Sequence, residues 1–447
     1  MDTTAKYNFL VDEFIKNDEP LSVDFRALVD WIHVGDRLTH LIHPYPAKLL
    51  PHIANLFCNS SKVAPAGTAV LDPFSGSGTV ALEASMAGRS ALLVDANPFA
   101  LLVAKVKTRR YHPELLTTTL AAIVSRAGRL RVAPEVELVN ARHWYSDRAK
   151  KELEIILRAV REVEDSALRE FFEVSFSAAA RRLSNADLAI SVPVRMKSSA
   201  ARTPAAQRKI EERIAWIRNA SCLAEFDRVS RANILRVAAA NACNPKRKVA
   251  TVVGNDARAL SMAPGVKRRV ERSEISLVLT SPPYGSAQKY VRASSLSLNW
   301  LGLGSPKDLA LLESKSIGRE HVHRSKDTSF PVALPRQFAE LIDCIGNTNA
   351  TRARITEVYL QEFRTALAEM AKVVADDGKV VIVIGNNQVC GQPLRNDTYV
   401  KEVMRAQGME VELELVDTIK SRGLMTKRNK SASVISRESV IVFRKGL

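Results

Sequence analysis

The chain is short of sulfur, of acid and of long apolar runs, and each shortage excludes something. Its five cysteines, Cys58, Cys222, Cys243, Cys344 and Cys390, stand far apart and form no Cys-x-x-Cys pair. Neither a disulfide framework nor a zinc site is expected, and no metal ligands are assigned. No apolar run approaches the ~20 residues that a membrane-spanning helix needs. The N-terminus, MDTTAKYNFLVDEF, carries acids early and lacks the basic-then-apolar order of a secretion signal. The expectation is a cytoplasmic protein without a membrane partner. Internal repeats and low-complexity tracts are absent. Acidic residues are outnumbered, 48 Asp+Glu against 65 Lys+Arg, and the net charge of +17 favours a polyanionic partner. The 46% hydrophobic content, with 25% charged residues, allows a large core rather than disorder.

What is present is an α/β pattern split by a helical stretch. Thr68–Asp72 reads as a short buried strand, followed by a Gly-rich turn and a helix from about Thr79 to Ala87. Gly88 ends that helix, Ser90–Asp95 reads as the next strand, and Asn97-Pro98 opens another helix. Such a run predicts a parallel sheet with right-handed crossovers. From about Pro113 to Asn244 strand signals are scarce, and Arg, Ala, Leu and Glu recur at helical spacing, with a loop near Val192–Pro204. Strand pattern resumes at Lys248–Gly254 and Ile275–Thr280. A long polar stretch runs from Ser286 to about Ala350, with an apolar piece at Leu296–Leu303. Arg352–Val374 reads as an amphipathic helix, Lys379–Gly385 as a buried strand and Thr398–Gln407 as a helix. Val411–Thr418 and Ser436–Arg444 read as a closing pair of strands.

The first chemical motif is Asp72-Pro73-Phe74-Ser75-Gly76-Ser77-Gly78-Thr79, set between strand and helix. Gly76 and Gly78 let the backbone turn tightly and approach a ligand, and the helix behind them points free N–H groups at it. A pyrophosphate or the carboxylate of methionine suits such a site equally. Asp95 ends the next strand at the distance where dinucleotide folds keep an acid for the ribose hydroxyls. Asn255-Asp256 ends a further strand, and its acid suits an adenine amino group. Each of these acids suits a helix N-cap as well.

Thr280-Ser281-Pro282-Pro283-Tyr284, at the end of a predicted strand, resembles the catalytic loop of the DNA amino-methyltransferases, which carry Asp, Asn or Ser before Pro-Pro-Tyr/Phe. The Asp72–Thr79 segment resembles the same family's loop for S-adenosyl-L-methionine (AdoMet). His43-Pro44-Tyr45-Pro46-Ala47-Lys48 is similar to the element that precedes that loop and helps cover the methionine end. The similarity covers about Leu41–Pro98 and Lys248–Tyr290, and more weakly Arg352–Arg444. It implies a Rossmann-like AdoMet-dependent methyltransferase sheet, mostly parallel with a closing antiparallel strand, carrying a mostly helical insertion. Residues 1–110 and 246–447 would form the two parts of the catalytic domain, 111–245 the insertion that reads the target, and 286–350 a segment contacting DNA. His43, Tyr45, Lys48, Asp72, Phe74, Gly76, Gly78, Thr79, Asp95, Asn97 and Asp256 would hold the cofactor, and Ser281, Pro282, Pro283 and Tyr284 would be catalytic.

The resemblance also implies a mechanism. An exocyclic amino nitrogen is a poor nucleophile because its lone pair is delocalised into the ring. Acceptors on its two hydrogens, here the Pro282 carbonyl and Ser281, localise that pair, while Tyr284 stacks on the base. Proline's fixed φ holds the carbonyl in place. Duplex DNA hides this nitrogen, so the base is flipped out at a cost of roughly a few kcal/mol. The implied partner is double-stranded DNA, with a separate cognate restriction endonuclease admitted by family analogy. Ser281 looks more like the cytosine-N4 group. An adenine-N6 enzyme, a tRNA guanine-N2 enzyme and a nucleic-acid-binding protein with an inactive methylase fold stay open, although the intact Gly76, Gly78, Ser281 and Tyr284 speak against the last. Nothing here resembles the Pro-Cys nucleophile of cytosine-C5 enzymes. Tyr290, Arg292, Trp300, Arg319, His321, His323 and Arg324, with the basic run Arg422–Lys430, are candidate base or phosphate contacts.

Overall fold

The most apolar stretches of the chain form the middle of one sheet. The structure, a computed structural model, describes residues 2–46, 48–197, 203–285, 289–322, 332–419 and 436–446. Its strands are β1 (Leu21–Val23), β2 (Ala69–Asp72), β3 (Ser90–Val94), β4 (Thr251–Gly254), β5 (Ile275–Thr280), β6 (Lys379–Ile384), β7 (Asn387–Val389), β8 (Gln392–Leu394), β9 (Met409–Thr418) and β10 (Arg437–Lys445). β7 and β8 form a separate hairpin, and the others make one sheet in the order β1-β9-β10-β6-β5-β2-β3-β4. All neighbours are parallel except those of β10, which is antiparallel to both β6 and β9. This is the expected Rossmann-like sheet with one reversed closing strand. β2 and β5 are buried at every position. Helices cover both faces of a parallel sheet, so its central strands read as near-continuous apolar runs.

The chain order places the site. After β2, the helix Thr79–Met86 carries the chain outward to β3. β5 and β6 then add on the opposite side of β2. Strand order therefore reverses between β2 and β5, and in open α/β sheets a crevice opens there at the carboxyl ends of the strands. The loops 72–79 and 280–284 leave those two strand ends. The sequence signal at Asn97-Pro98 acts as expected: Asn97 Oδ1 accepts from Phe99 N at 3.1 Å and Pro98 opens the helix Pro98–Thr108.

Several local expectations are corrected. The polar stretch after Ser286 contains the helices Tyr290–Leu301, Leu309–Lys315 and Arg336–Thr348. The first buries Val291, Leu298 and Trp300 in the core of the helical region. That region holds Pro113–Arg129, Asp147–Arg161, Ser166–Leu183, Pro204–Asn219 and Cys222–Cys243. Phe171, Phe172 and Phe226 share one core with Phe99 and Val103 from the helix behind β3, so the region packs directly on the sheet's own helices. The expected strand at Lys248 starts only at Thr251, on the sheet edge. β1, β7 and β8, three residues each, are too short to show a period and were not anticipated. Among the described residues no helix is long and apolar enough to cross a membrane.

Candidate active site

The two motif loops meet at a hydrogen bond. Thr280 Oγ1 donates to Asp72 Oδ1 at 2.7 Å, joining residues 208 positions apart. Phe74 N donates to the same oxygen at 3.2 Å. Asp72 is buried beneath the crevice. Burial pushes its carboxyl up to about 7, against these two hydrogen bonds, with the neighbouring Asp95 adding to the rise. Asp72 thus ties the glycine loop to the Ser-Pro-Pro-Tyr loop from below.

Above it lies a crevice lined by Tyr45, Phe74, Gly76, Asp95, Asn97, Asn255, Asp256, Ser281, Pro283, Tyr290 and Ile317. Asp95 accepts from Gly76 N and Asn97 N, one on each oxygen, both at 2.8 Å. A carboxylate has about four lone-pair sites, so two N–H donors leave capacity for a ribose diol. Asp256 has less to offer, because Arg258 takes both its oxygens, Nε to Oδ1 at 2.8 Å and a second nitrogen to Oδ2 at 2.9 Å. Asn255 lines the crevice beside it. Gly76 (φ +45°) has room for a Cβ, with Tyr45 at 3.6 Å. Gly78 (φ +76°) has none: a Cβ would stand 2.5 Å from Ala104 Cβ. Gly78 therefore serves the close approach of the helix Pro98–Thr108, and Thr79 is a buried first residue of its own helix. The polar lining, Asp95 and Asn255 above all, suits the hydroxyls and base edge of a nucleoside.

Burial pushes the Asp95 carboxyl up to about 6, its two N–H partners opposing. Both carboxyls hold a proton in the folded chain at pH values where their ordinary value of 3.8 has released it. Their contribution to stability therefore falls as pH rises from about 4 to about 7. Cofactor affinity runs the other way, since a protonated carboxyl is the weaker acceptor for a diol. AdoMet binding followed by calorimetry should weaken as pH drops below about 6. Asp95→Asn should cost about ten- to a hundredfold in affinity at pH 8, the scale of one charge-assisted hydrogen bond, and should lose that pH dependence. An unchanged dissociation constant would remove Asp95 from the cofactor site.

The covering element is held by charge. Glu83, fully buried on the helix behind the glycine loop, accepts from Arg37 at 3.1 Å on each oxygen and from Asn55 Nδ2 at 2.7 Å. His40 Nε2 meets its Oε1 at 2.8 Å. Burial works to raise the Glu83 carboxyl, yet these partners hold it below the usual range. Burial lowers His40, so the ring is neutral and donates through Nε2. This cluster docks the segment that continues into His43 and Tyr45. Tyr45 is buried against the crevice, where its hydroxyl accepts from Asn97 Nδ2 at 3.2 Å. His43 lies one layer back: it is buried, meets the Pro44 carbonyl at 2.7 Å and Ser177 Oγ at 3.1 Å, and burial lowers it to about 3. Lys48 pairs with Asp36 at 2.9 Å. Both line a neighbouring cleft that Tyr45 divides from the crevice.

The Ser-Pro-Pro-Tyr loop is braced from behind. Tyr359 Oη donates to the Pro283 carbonyl at 2.9 Å and Asn387 Nδ2 to the Tyr284 carbonyl at 2.9 Å. Gly318 abuts the loop so closely that a Cβ there would meet the Gly285 carbonyl at 2.5 Å. The Tyr284 hydroxyl stands 3.1 Å from Ser281 Oγ and donates to Glu438 Oε1 at 3.0 Å. Sequence reading missed Tyr359, Asn387, Glu438 and Ile317. The Asn-Asn pair after β6 could have been found, being polar residues at the carboxyl end of a parallel strand. Glu438 could not, because only the antiparallel register of Ser439 with Ile384 brings it to this edge.

Two expected nucleic-acid contacts are corrected. Trp300 is a core residue, 1% exposed, packed edge-on against Tyr145 and Phe176. Arg319 is spent on Glu362 at 2.6 Å. Tyr290 faces the crevice, while Arg292 and His321 are exposed. His323, Arg324 and Arg422–Lys430 lie outside the described residues.

Comparison with known proteins points the same way. Residues 42–128 match the UPF0020 family, described as RMKL-like, methyltransferase domain. Among curated proteins, the chain is similar to the Type II methyltransferase M.MvaI of Kocuria varians, 27% identical over 158 residues, 33% of this chain and 35% of that one. It is also similar to the Type II methyltransferase M.MjaII of Methanocaldococcus jannaschii, 28% identical over 106 residues, 23% of this chain and 20% of that one. The matches span about a third and a fifth of those relatives' lengths. The solved rRNA methyltransferase aviRa from Streptomyces viridochromogenes aligns over 90% of this chain and 89% of its own, at 12% identity and a TM-score of 0.30, too loose a likeness to argue from.

Proposed function

We propose that this chain, built on a Rossmann-like methyltransferase sheet, transfers the methyl group of AdoMet to the exocyclic amino group of a base in double-stranded DNA, with N4 of cytosine as the acceptor. The observation that carries the proposal is the Thr280–Asp72 hydrogen bond, which sets the Ser-Pro-Pro-Tyr loop against the crevice that contains Asp95. AdoMet, when bound, supplies an electrophilic methyl group on a sulfonium. Asp95 holds the ribose, Gly76 and Tyr45 bound the methionine end, and Ile317 and Phe74 sandwich apolar surface. The flipped base rests on Tyr284, a stack that returns about 1–3 kcal/mol of the flipping cost. Its amino hydrogens meet Ser281 Oγ and the Pro282 carbonyl, which draw the nitrogen toward a tetrahedral, nucleophilic form. Positioning then dominates catalysis.

Serine at 281 favours cytosine over adenine. The designation of the curated relatives as Type II methyltransferases supports a restriction–modification setting, with the endonuclease as a separate chain. The net charge of +17 supports a nucleic-acid partner, and affinity for DNA should fall steeply with salt. The helical region 111–245 and the exposed Arg292 and His321 are the proposed reading surface.

The test is incubation with tritiated AdoMet and either double-stranded DNA or tRNA, followed by nucleoside analysis. Labelled N4-methylcytosine is the expected product. N6-methyladenine would correct the base, and label confined to tRNA as a methylated guanine would replace DNA as substrate. AdoMet bound without label in either nucleic acid would favour the inactive-fold reading.

A further inference from the structure

The hydroxyl of Tyr284 has no part in base stacking, which needs only the ring. Its place in this chain is nevertheless specific. It lies between Ser281 Oγ at 3.1 Å and Glu438 Oε1 at 3.0 Å. A phenol has one proton to give. With a carboxylate on one side it gives that proton to Glu438, and so accepts from Ser281 on the other. The hydroxyl proton of Ser281 then points away from the crevice, and its lone pairs face the site where a base amino group would sit. The direction of every hydrogen bond in the chain is set by the acid at its far end.

We propose that Glu438 is the terminal acceptor of the proton lost by the methylated amino group, reached through the hydroxyls of Ser281 and Tyr284. The inference rests on the amino-group methylation reading above. As the nitrogen–methyl bond forms and the methyl–sulfur bond breaks, the positive charge passes to the nitrogen. One N–H proton moves to Ser281 Oγ, the Ser281 proton to the Tyr284 oxygen, and the Tyr284 proton to Glu438 Oε1. Both hydroxyls end neutral and Glu438 ends as a carboxylic acid. No second reactant is needed.

The surroundings of Glu438 suit an acceptor. Two groups bear on it: Tyr284 from the Ser-Pro-Pro-Tyr loop and Asp417 directly opposite on β9. Burial raises its carboxyl, Asp417 adds to the rise and the Tyr284 hydrogen bond opposes it. Burial likewise keeps the Tyr284 phenol neutral. An acid placed in this way takes a proton more readily than an ordinary glutamate.

Glu438→Gln keeps an acceptor oxygen for Tyr284 and cannot take the proton. Tyr284→Phe keeps the stack and cuts the path. Single-turnover methylation of duplex DNA, measured from pH 5.5 to pH 9 with AdoMet saturating, should rise with pH in the wild type as Glu438 ionises. Both variants should lose that rise and fall about 10²-fold on the plateau, the scale of a positioned proton acceptor, with AdoMet and DNA affinity unchanged. A lower plateau that keeps the wild-type pH profile would make Glu438 a structural brace only, and wild-type rates in both variants would overturn the path altogether. An infrared difference titration of the free protein gives a reading that needs no substrate. A protonated-carboxyl band above the ordinary glutamate range, absent from Glu438→Gln and shifted in Tyr284→Phe, is expected, and its absence overturns the acceptor role. If the band is present but no nucleic acid is methylated on an amino group, the substrate reading fails and the acid itself stands.

Discussion

Ser281→Ala slows single-turnover methyl transfer by about 10²- to 10³-fold at saturating AdoMet, the scale for loss of one hydrogen bond that strengthens in the transition state. The affinity for AdoMet does not change, because Asp95, Gly76 and Asn97 are untouched. The hydroxyl is small, half-buried and bonded to Tyr284, so its removal costs only about 1 kcal/mol of stability. A large loss of rate with intact folding and intact binding is therefore the signature of an acceptor on the reacting amino group. Stopped-flow or quenched single turnovers on duplex DNA, beside calorimetry with AdoMet, separate the two readouts. Turnover at the wild-type rate would detach Ser281 from the chemistry and leave Pro282 as the sole acceptor.

Glu83→Ala destabilises the fold by about 3–5 kcal/mol, the usual cost of removing one member of a buried ion cluster. Arg37, His40 and Asn55 all lose their acceptor at once. His40 already has one ring nitrogen without a partner among the described residues, so it cannot turn elsewhere at no cost. Glu83→Gln retains one acceptor oxygen and is milder. Because Glu83 is held below its ordinary value of 4.5, its contribution is complete above that pH and is lost as pH falls through the lower folded value. Urea unfolding at pH 7 measures the difference. A change within about 1 kcal/mol, the size of an exposed pair, would show that packing alone docks the segment carrying Tyr45. A second consequence follows from position: the same variant should weaken AdoMet binding, since the cluster anchors the element that walls the crevice.

Much of this was legible in one dimension. The sheet's central strands announce themselves as buried, mostly apolar runs, β2 and β5 above all, because strands covered on both faces keep polar residues only where these find a partner, as Asp72 and Thr280 do. The loops that follow them carry chemistry for the same geometric reason, as the carboxyl ends of parallel strands form the crevice. Asn97-Pro98 and the glycines mark their turns through backbone rules that act locally. Where the pattern misled, the cause was tertiary. Trp300 lies in the short apolar piece Leu296–Leu303 of an otherwise polar stretch, and its indole closes the core of the helical region. Arg319 belongs to a basic run and is neutralised by Glu362, more than forty positions away. Gly78 reads as a ligand-approach glycine and is required instead by Ala104.

The sequence alone determined the class of sheet and the two motif loops, since each follows from residues within one turn or one strand of each other, and the chemistry they suit came from the family resemblance of those loops. Only the tertiary structure decided how those loops meet, through Asp72 and Thr280, and which acid stands behind Tyr284. Glu438 lies on a strand whose direction is reversed relative to its neighbours, and register, not spacing along the chain, delivers it to the site.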